Sequence, residues 1–205
     1  VKSPVHPVLL SLVVVLTLAP SRPVRAEGVE IGPFAGLQFG GHFSSSLSGR
    51  VESLSASLDY GATGDFPMVG DWHIQALYSR QSSHLVEESL GGARFDVAIE
   101  RYMAGVSQQT GDGPTRFFGV ALLGATRIAP GLDGYDAGTR FTMGLGLGLK
   151  HFVSKRVGIR AEARGFFTVT ESGGGTLCRN GGCLFVFQGS GFVQGDLTAG
   201  VVFAF

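Results

Sequence analysis

The sequence has no excess of either charge. Lys and Arg together number 16 and so do Asp and Glu, which leaves a formal net charge of zero. Without a basic surplus there is no footprint for nucleic acid, and there is no acidic tail. Long apolar runs are missing beyond residue 26, so no stretch there qualifies as a transmembrane helix. Leu-rich helical runs are absent as well. Cysteine is scarce, with two in 205 residues. They stand as Cys178-Arg-Asn-Gly-Gly-Cys183 with no His or acid between them, and two sulfurs are too few ligands for zinc. What is present in quantity is glycine (33) and phenylalanine (16), with a mean hydropathy of +0.25. Glycine is a poor helix former. An apolar, Gly-rich chain with no helical runs is expected to place its apolar residues on strands, with Gly at bends and close contacts.

Residues 1–26 read as an export signal. Lys2 supplies the positive start, Val8 to Ala19 the apolar segment, Pro20 its end, and Val24-Arg25-Ala26 a small-residue cleavage site. The remaining 27–205 form one domain's length. Export makes a disulfide between Cys178 and Cys183 the expected state of that pair.

From Glu27 onward the dominant pattern is alternation with period two, the mark of strands with two unlike faces. Eight such segments are expected. Ile31, Ala35, Leu37 and Phe39 oppose Glu30, Gly32, Phe34, Gly36 and Gln38, with Pro33 placed near a rim or at a bulge. Leu54, Ala56, Leu58 and Tyr60 oppose serines and Asp59. A third strand runs about Trp72 to Arg80. A fourth begins near Ala93 with Phe95, Val97 and Ile99 against Arg94, Asp96, Ala98 and Glu100 and continues toward Gln109, and Arg101 breaks its pattern, as a bulge or a register change would. The fifth, about Thr115 to Arg127, is apolar on both faces and its register is open. The sixth sets Phe141, Met143, Leu145, Leu147 and Leu149 against Arg140, three glycines and Lys150. The seventh sets Ile159, Ala161 and Ala163 against Arg160, Glu162 and Arg164. The eighth sets Leu197, Ala199, Val201, Phe203 and Phe205 against Asp196 and Thr198. Short linkers (about 61–71, 110–114, 154–156) alternate with generally longer polar ones (about 44–50, 81–92, 128–138, 171–187). That asymmetry between ends belongs to transmembrane barrels.

Alternation alone does not choose between a soluble barrel with an apolar inside and a membrane barrel with an apolar outside. Glycines interleaved with Arg140, Arg160, Glu162 and Arg164 favour the second, because a narrow lumen needs small residues beside long ones. With the amphipathic last strand ending in Phe205, the chain resembles the small eight-stranded bacterial outer-membrane β-barrels, the opacity-type proteins and OmpA-like transmembrane domains. The resemblance covers about 27–205. It implies an all-β, closed antiparallel transmembrane barrel in the outer membrane, and that Phe203 and Phe205 are read by the barrel assembly machinery. Tyr60, Trp72, Tyr78, Phe203 and Phe205 are candidates for interfacial aromatic girdles.

Three sets of residues could carry chemistry. A lumen charge network is expected in which Glu30, Glu100, Glu162 and Asp196 pair with Arg94, Arg140, Arg160 and Arg164, since an unpaired charge in a narrow interior is costly. Eight strands leave a bore about filled by side chains, so pairing that fixes register is expected ahead of an ion path. Ser82, Ser83, His84 and Glu87 are the nearest approach to a Ser/His/acid set, placed in the third–fourth loop. No phosphate loop is present, because the glycines at 144, 146 and 148 lack a following Lys-Ser/Thr. The expected function is a non-enzymatic envelope protein without cofactors. Its partners are outer-membrane lipids, the assembly machinery and surface ligands met by the loops, not nucleic acid. A narrow solute pore and a lipid A-modifying barrel enzyme are the alternatives.

Overall fold

The computed structural model describes residues 28–40, 42–45, 51–53, 56–87, 93–130, 137–169, 175–179, 182–186 and 191–205, with side-chain detail over 28–40, 56–82, 97–129, 137–169 and 191–205. The export signal expected over 1–26 lies outside the described residues.

Eight strands close a barrel: β1 (Glu30–Gly40), β4 (Ser57–Pro67), β5 (Trp72–Glu87), β6 (Ala93–Thr110), β7 (Thr115–Pro130), β8 (Gly138–Phe152), β9 (Val157–Val169) and β12 (Gly191–Ala204). Their order is β1-β12-β9-β8-β7-β6-β5-β4, and every pair, including the closing β1–β12 pair, is antiparallel. Four short strands, β2 (His42–Ser45), β3 (Val51–Ser53), β10 (Gly175–Arg179) and β11 (Gly182–Val186), form a separate sheet in the order β10-β11-β2-β3. The segments read as plain loops after the first and seventh strands of the barrel thus carry paired strands of their own.

The tight turns 68–71, 111–114 and 153–156 lie at one end. Gly70 and Gly111 take positive φ (65° and 122°), as tight reversals require. Ser154 Oγ accepts from the Val157 amide at 3.1 Å. The β12 end joins this rim, with the Ala204 amide donating to Arg156 O at 2.9 Å and the Phe205 amide to Val29 O at 3.0 Å.

The burial pattern is the reverse of a soluble protein's. Leu145 and Leu147 on β8 are 71% and 72% exposed, while Arg101, Gln75 and Gln38 are fully buried. An apolar exterior around a polar interior is stable against hydrocarbon and costly in water, at about 25 cal/mol per Å² of apolar surface. The inward face alternates small and long residues. A side chain at Gly144 would meet the Phe166 ring at 3.0 Å, and one at Gly146 would meet Arg164 Cγ at 2.8 Å. Glycine here is room for the opposite wall.

Several expectations about strands are corrected. The linker expected over 61–71 is mostly strand, because β4 continues to Pro67 with Thr63 and Asp65 facing inward. The bulge or register change expected at Arg101 is absent, and β6 pairs in unbroken register with β5 and β7 across that residue. Pro33 sits near the rim and not at a bulge: the β1–β12 ladder skips Gly32 and Pro33 and resumes in step at Phe34. The fifth strand's open register resolves with Phe118, Val120 and Leu122 inward and Phe117 and Leu123 outward.

Candidate functional site

The lumen is built in layers. Nearest the tight turns lies a charged cluster from five strands. Lys150 on β8 reaches Glu30 on β1 and Asp65 Oδ2 on β4 (2.8 Å). Arg160 on β9 reaches the same Asp65 oxygen (2.8 Å) and Glu162 Oε2 (2.9 Å), and Arg116 on β7 approaches Glu30 Oε1 at 3.8 Å. Three carboxylates (Glu30, Asp65, Glu162) balance three cations (Lys150, Arg160, Arg116). The Arg160 guanidinium also lies 4.3 Å from the Phe118 ring centroid. Such cross-barrel pairs join strands that share no backbone ladder.

Above this cluster Leu77, Met103, Val120, Leu122 and Phe166 pack together, with Phe34 against them. They come from β5, β6, β7, β9 and β1, so they meet across the bore. Next comes a second polar layer. Arg101 on β6 donates to Gln38 Oε1 on β1 (2.9 Å) and to Gln194 on β12, with its guanidinium 4.7 Å from the Phe166 ring centroid. Arg164 pairs with Asp196 Oδ2 at 3.0 Å and stacks 4.5 Å from the Phe34 ring centroid. Asp59 is buried in the same layer. Two cations, Arg101 and Arg164, again match two carboxylates, Asp59 and Asp196. The hydroxyls of Thr126, Thr142 and Thr168 bond in a ladder across β7–β9 (2.6 and 3.0 Å).

Of the eight charged residues expected inside, Glu30, Arg160, Glu162, Arg164 and Asp196 are there, and the side chain of Arg94 lies outside the described residues. Arg140 lies toward the far rim, where Nη1 donates to Thr139 O at 3.1 Å. Glu100 does not face the lumen. Its neighbours Ile99 and Arg101 are fully buried inside, and Glu100 points outward between Arg80 (3.2 Å) and Arg127 (3.3 Å). The reason is that Val97, Ile99 and Ile128, beyond this level, are buried inward. There the apolar face turns in, as it does in a soluble barrel. Among the described residues Lys150, Asp65, Asp59, Arg101 and Arg116 also lie in the interior. Lys150 and Asp59 stood on polar strand faces in the sequence. Asp65 was hidden by reading its strand as a turn, Arg101 by the assumed bulge, and Arg116 by the two-sided apolar pattern around it.

Cys178 and Cys183 are direct partners in the β10–β11 register; their side chains lie outside the described residues. Ser82, Ser83, His84 and Glu87 belong to strand β5 and not to a loop. The side chains of the last three also lie outside the described residues. Of the girdle candidates, Tyr60, Trp72, Tyr78, Phe203 and Phe205 are all exposed on the outer wall.

No protein-family model matches the chain, and no curated protein matches it. Solved structures do. Neisserial surface protein A matches with a TM-score of 0.64 at 16% identity, over 87% of this chain and 98% of that one. Ail of Yersinia pestis, solved with a heparin analogue, matches at 0.46 and 13% identity over 86% and 99%. The N-terminal β-barrel domain of Pseudomonas aeruginosa OprF matches at 0.43 and 13% identity over 89% and 99%. With its closed ring of eight antiparallel strands, its apolar outside and its paired charges within, the chain has the fold of the small eight-stranded outer-membrane β-barrels.

Proposed function

We propose that this protein is a non-enzymatic barrel of the bacterial outer membrane with a sealed lumen, and that it acts through the strands and loops beyond its far rim. One observation carries the reading: the apolar layer of Leu77, Met103, Val120, Leu122, Phe166 and Phe34 packs across the bore. A hydrated ion crossing such a layer would lose its water with nothing to replace it. The polar layers on either side support the reading, because their charges balance in place and leave no net field to select ions. The long β5–β6 hairpin and the β10-β11-β2-β3 sheet supply surface for contact with partners outside the cell. The fold is shared with a Neisseria protein that is by name a surface protein. Phe203 and Phe205, exposed on the last strand, are the candidates for recognition by the assembly machinery.

The test uses residues 27–205 refolded in detergent. Unboiled protein should resist SDS and migrate differently from boiled protein. In a planar bilayer it should give no stable single-channel steps. A reproducible conductance would sink the sealed lumen while leaving the membrane barrel intact. Absence of the mobility shift, with solubility in plain buffer, would sink both.

A further inference from the structure

The outward triad Arg80–Glu100–Arg127 is used neither by the lumen nor by the fold's closure. The three residues are direct cross-strand partners on β5, β6 and β7. Glu100 gives one carboxylate oxygen to each arginine, Oε1 to Arg80 and Oε2 to Arg127. Its own side chain is only 11% exposed, whereas the arginine side chains are 42% and 52% exposed. The Tyr102 hydroxyl also donates to Glu100 (3.4 Å), and its ring lies 5.2 Å from that of Tyr78, centroid to centroid. The aromatic pair is one row nearer the tight turns, where the wall is apolar. The triad therefore sits where the wall passes from hydrocarbon to the headgroup region.

One carboxylate cannot neutralise two guanidiniums, so the group carries a net positive charge. Each guanidinium has five N–H donors in a planar fork suited to phosphate. Glu100 fixes one nitrogen of each and holds the two forks beside each other. Farther down the same wall runs an apolar groove lined by Ala121, Leu123, Met143, Leu145, Gly165 and Val193. It is recessed at Ala121 and Gly165, and a Cβ added at Gly165 would meet nothing within 4 Å. On β7 it begins at Leu123, four residues from Arg127.

We propose that Arg80, Glu100 and Arg127 form a docking site for the phosphate of an outer-leaflet lipid, with an acyl chain of that lipid lying in the groove below. The site rests on the outer-membrane reading, with the long-hairpin end outward. A soluble anion would use the arginines but not the groove. A protein partner would not reach wall that is covered by lipid.

The experiment measures binding of bis-phosphorylated lipid A to the refolded 27–205 barrel in a zwitterionic detergent. The wild type should bind it. The double variant R80Q/R127Q should bind at least tenfold more weakly. The same charge loss at the other rim, K155Q/R156Q, should leave binding within twofold. Gly165→Leu, which fills the groove and leaves both arginines, should weaken binding several-fold. Dephosphorylated lipid A should bind at least tenfold more weakly, and millimolar inorganic phosphate should not compete. Unchanged binding by R80Q/R127Q, an equal loss in K155Q/R156Q, or full competition by phosphate alone would each overturn the site. Each variant is first checked for the heat-dependent gel shift, and R127Q alone replaces the double variant if the latter lacks it. A wild type that shows no shift fails the barrel reading itself, which separates that failure from failure of the site.

Discussion

At the scale of single residues, glycine has two roles in this wall, and they are separable. Gly148 faces inward, where a Cβ would strike the Phe118 ring and the Ala161 carbonyl oxygen at 2.6 Å. That oxygen belongs to a paired strand and cannot yield. Gly165 faces outward into open space. Gly148→Ala should therefore cost about 1–3 kcal/mol by overpacking, and Gly165→Ala should change stability by no more than about 0.5 kcal/mol. Urea unfolding of both variants in the same lipid vesicles measures the difference, and equal midpoints would refute the assignment of faces. The inward glycines were legible in the sequence, because 144, 146 and 148 alternate with leucines. Glu100 was not. Along its strand the inward face is polar at Arg101, Ser107 and Gln109 and apolar at Ile99 and Val97. A single parity carried along the whole strand assigns one half wrongly, and that is what made Arg101 look like a bulge.

At the scale of elements, composition misled where glycine, aspartate and proline fall inside a strand. Gly61, Gly64, Asp65 and Pro67 look like turn chemistry, yet β4 uses Gly61 for close approach to the Phe34 ring (2.9 Å from an added Cβ) and Asp65 to anchor Lys150 and Arg160. The tight turns at 111–114 and 153–156 were legible because no lumen demand competes there. The strands β10 and β11 were not, since they pair outside the barrel and follow none of its alternation. Their register sets Cys178 opposite Cys183. Directly opposed residues of an antiparallel pair lie about 4.5–5.5 Å apart at Cα, within the reach of a disulfide. Thiol titration of denatured, unreduced protein should find no free cysteine, and two thiols per chain would defeat the bridge. A loop this short contributes about 2 kcal/mol at most. Reduction should therefore leave the barrel's gel shift intact.

At the scale of the whole molecule, the inside–outside choice decides everything else, and period-two alternation carries no information about it. The sequence leaned the right way because glycines share a face with long charged side chains, a combination that a lipid-facing wall has no use for. The same logic places the barrier to flow. The charged layers hold polar side chains that water can solvate, so the apolar layer between them should be what stops ions. Phe166 and Leu122 are its most buried members, at 1% exposure each. Phe166 also carries the Arg101 guanidinium on its ring. Truncating both, F166A/L122A, removes the contact across the bore while leaving every charge pair in place. Each truncation should cost about 2–5 kcal/mol, so retention of the heat-dependent gel shift is checked first, and Leu122→Ala alone is used if the double variant loses it. In a planar bilayer the truncated barrel should show discrete conductance steps absent from the wild type. If it folds and remains silent, the paired charges rather than the apolar layer close the lumen. Neutralising Lys150 together with Asp65 would then be expected to open what the truncation did not.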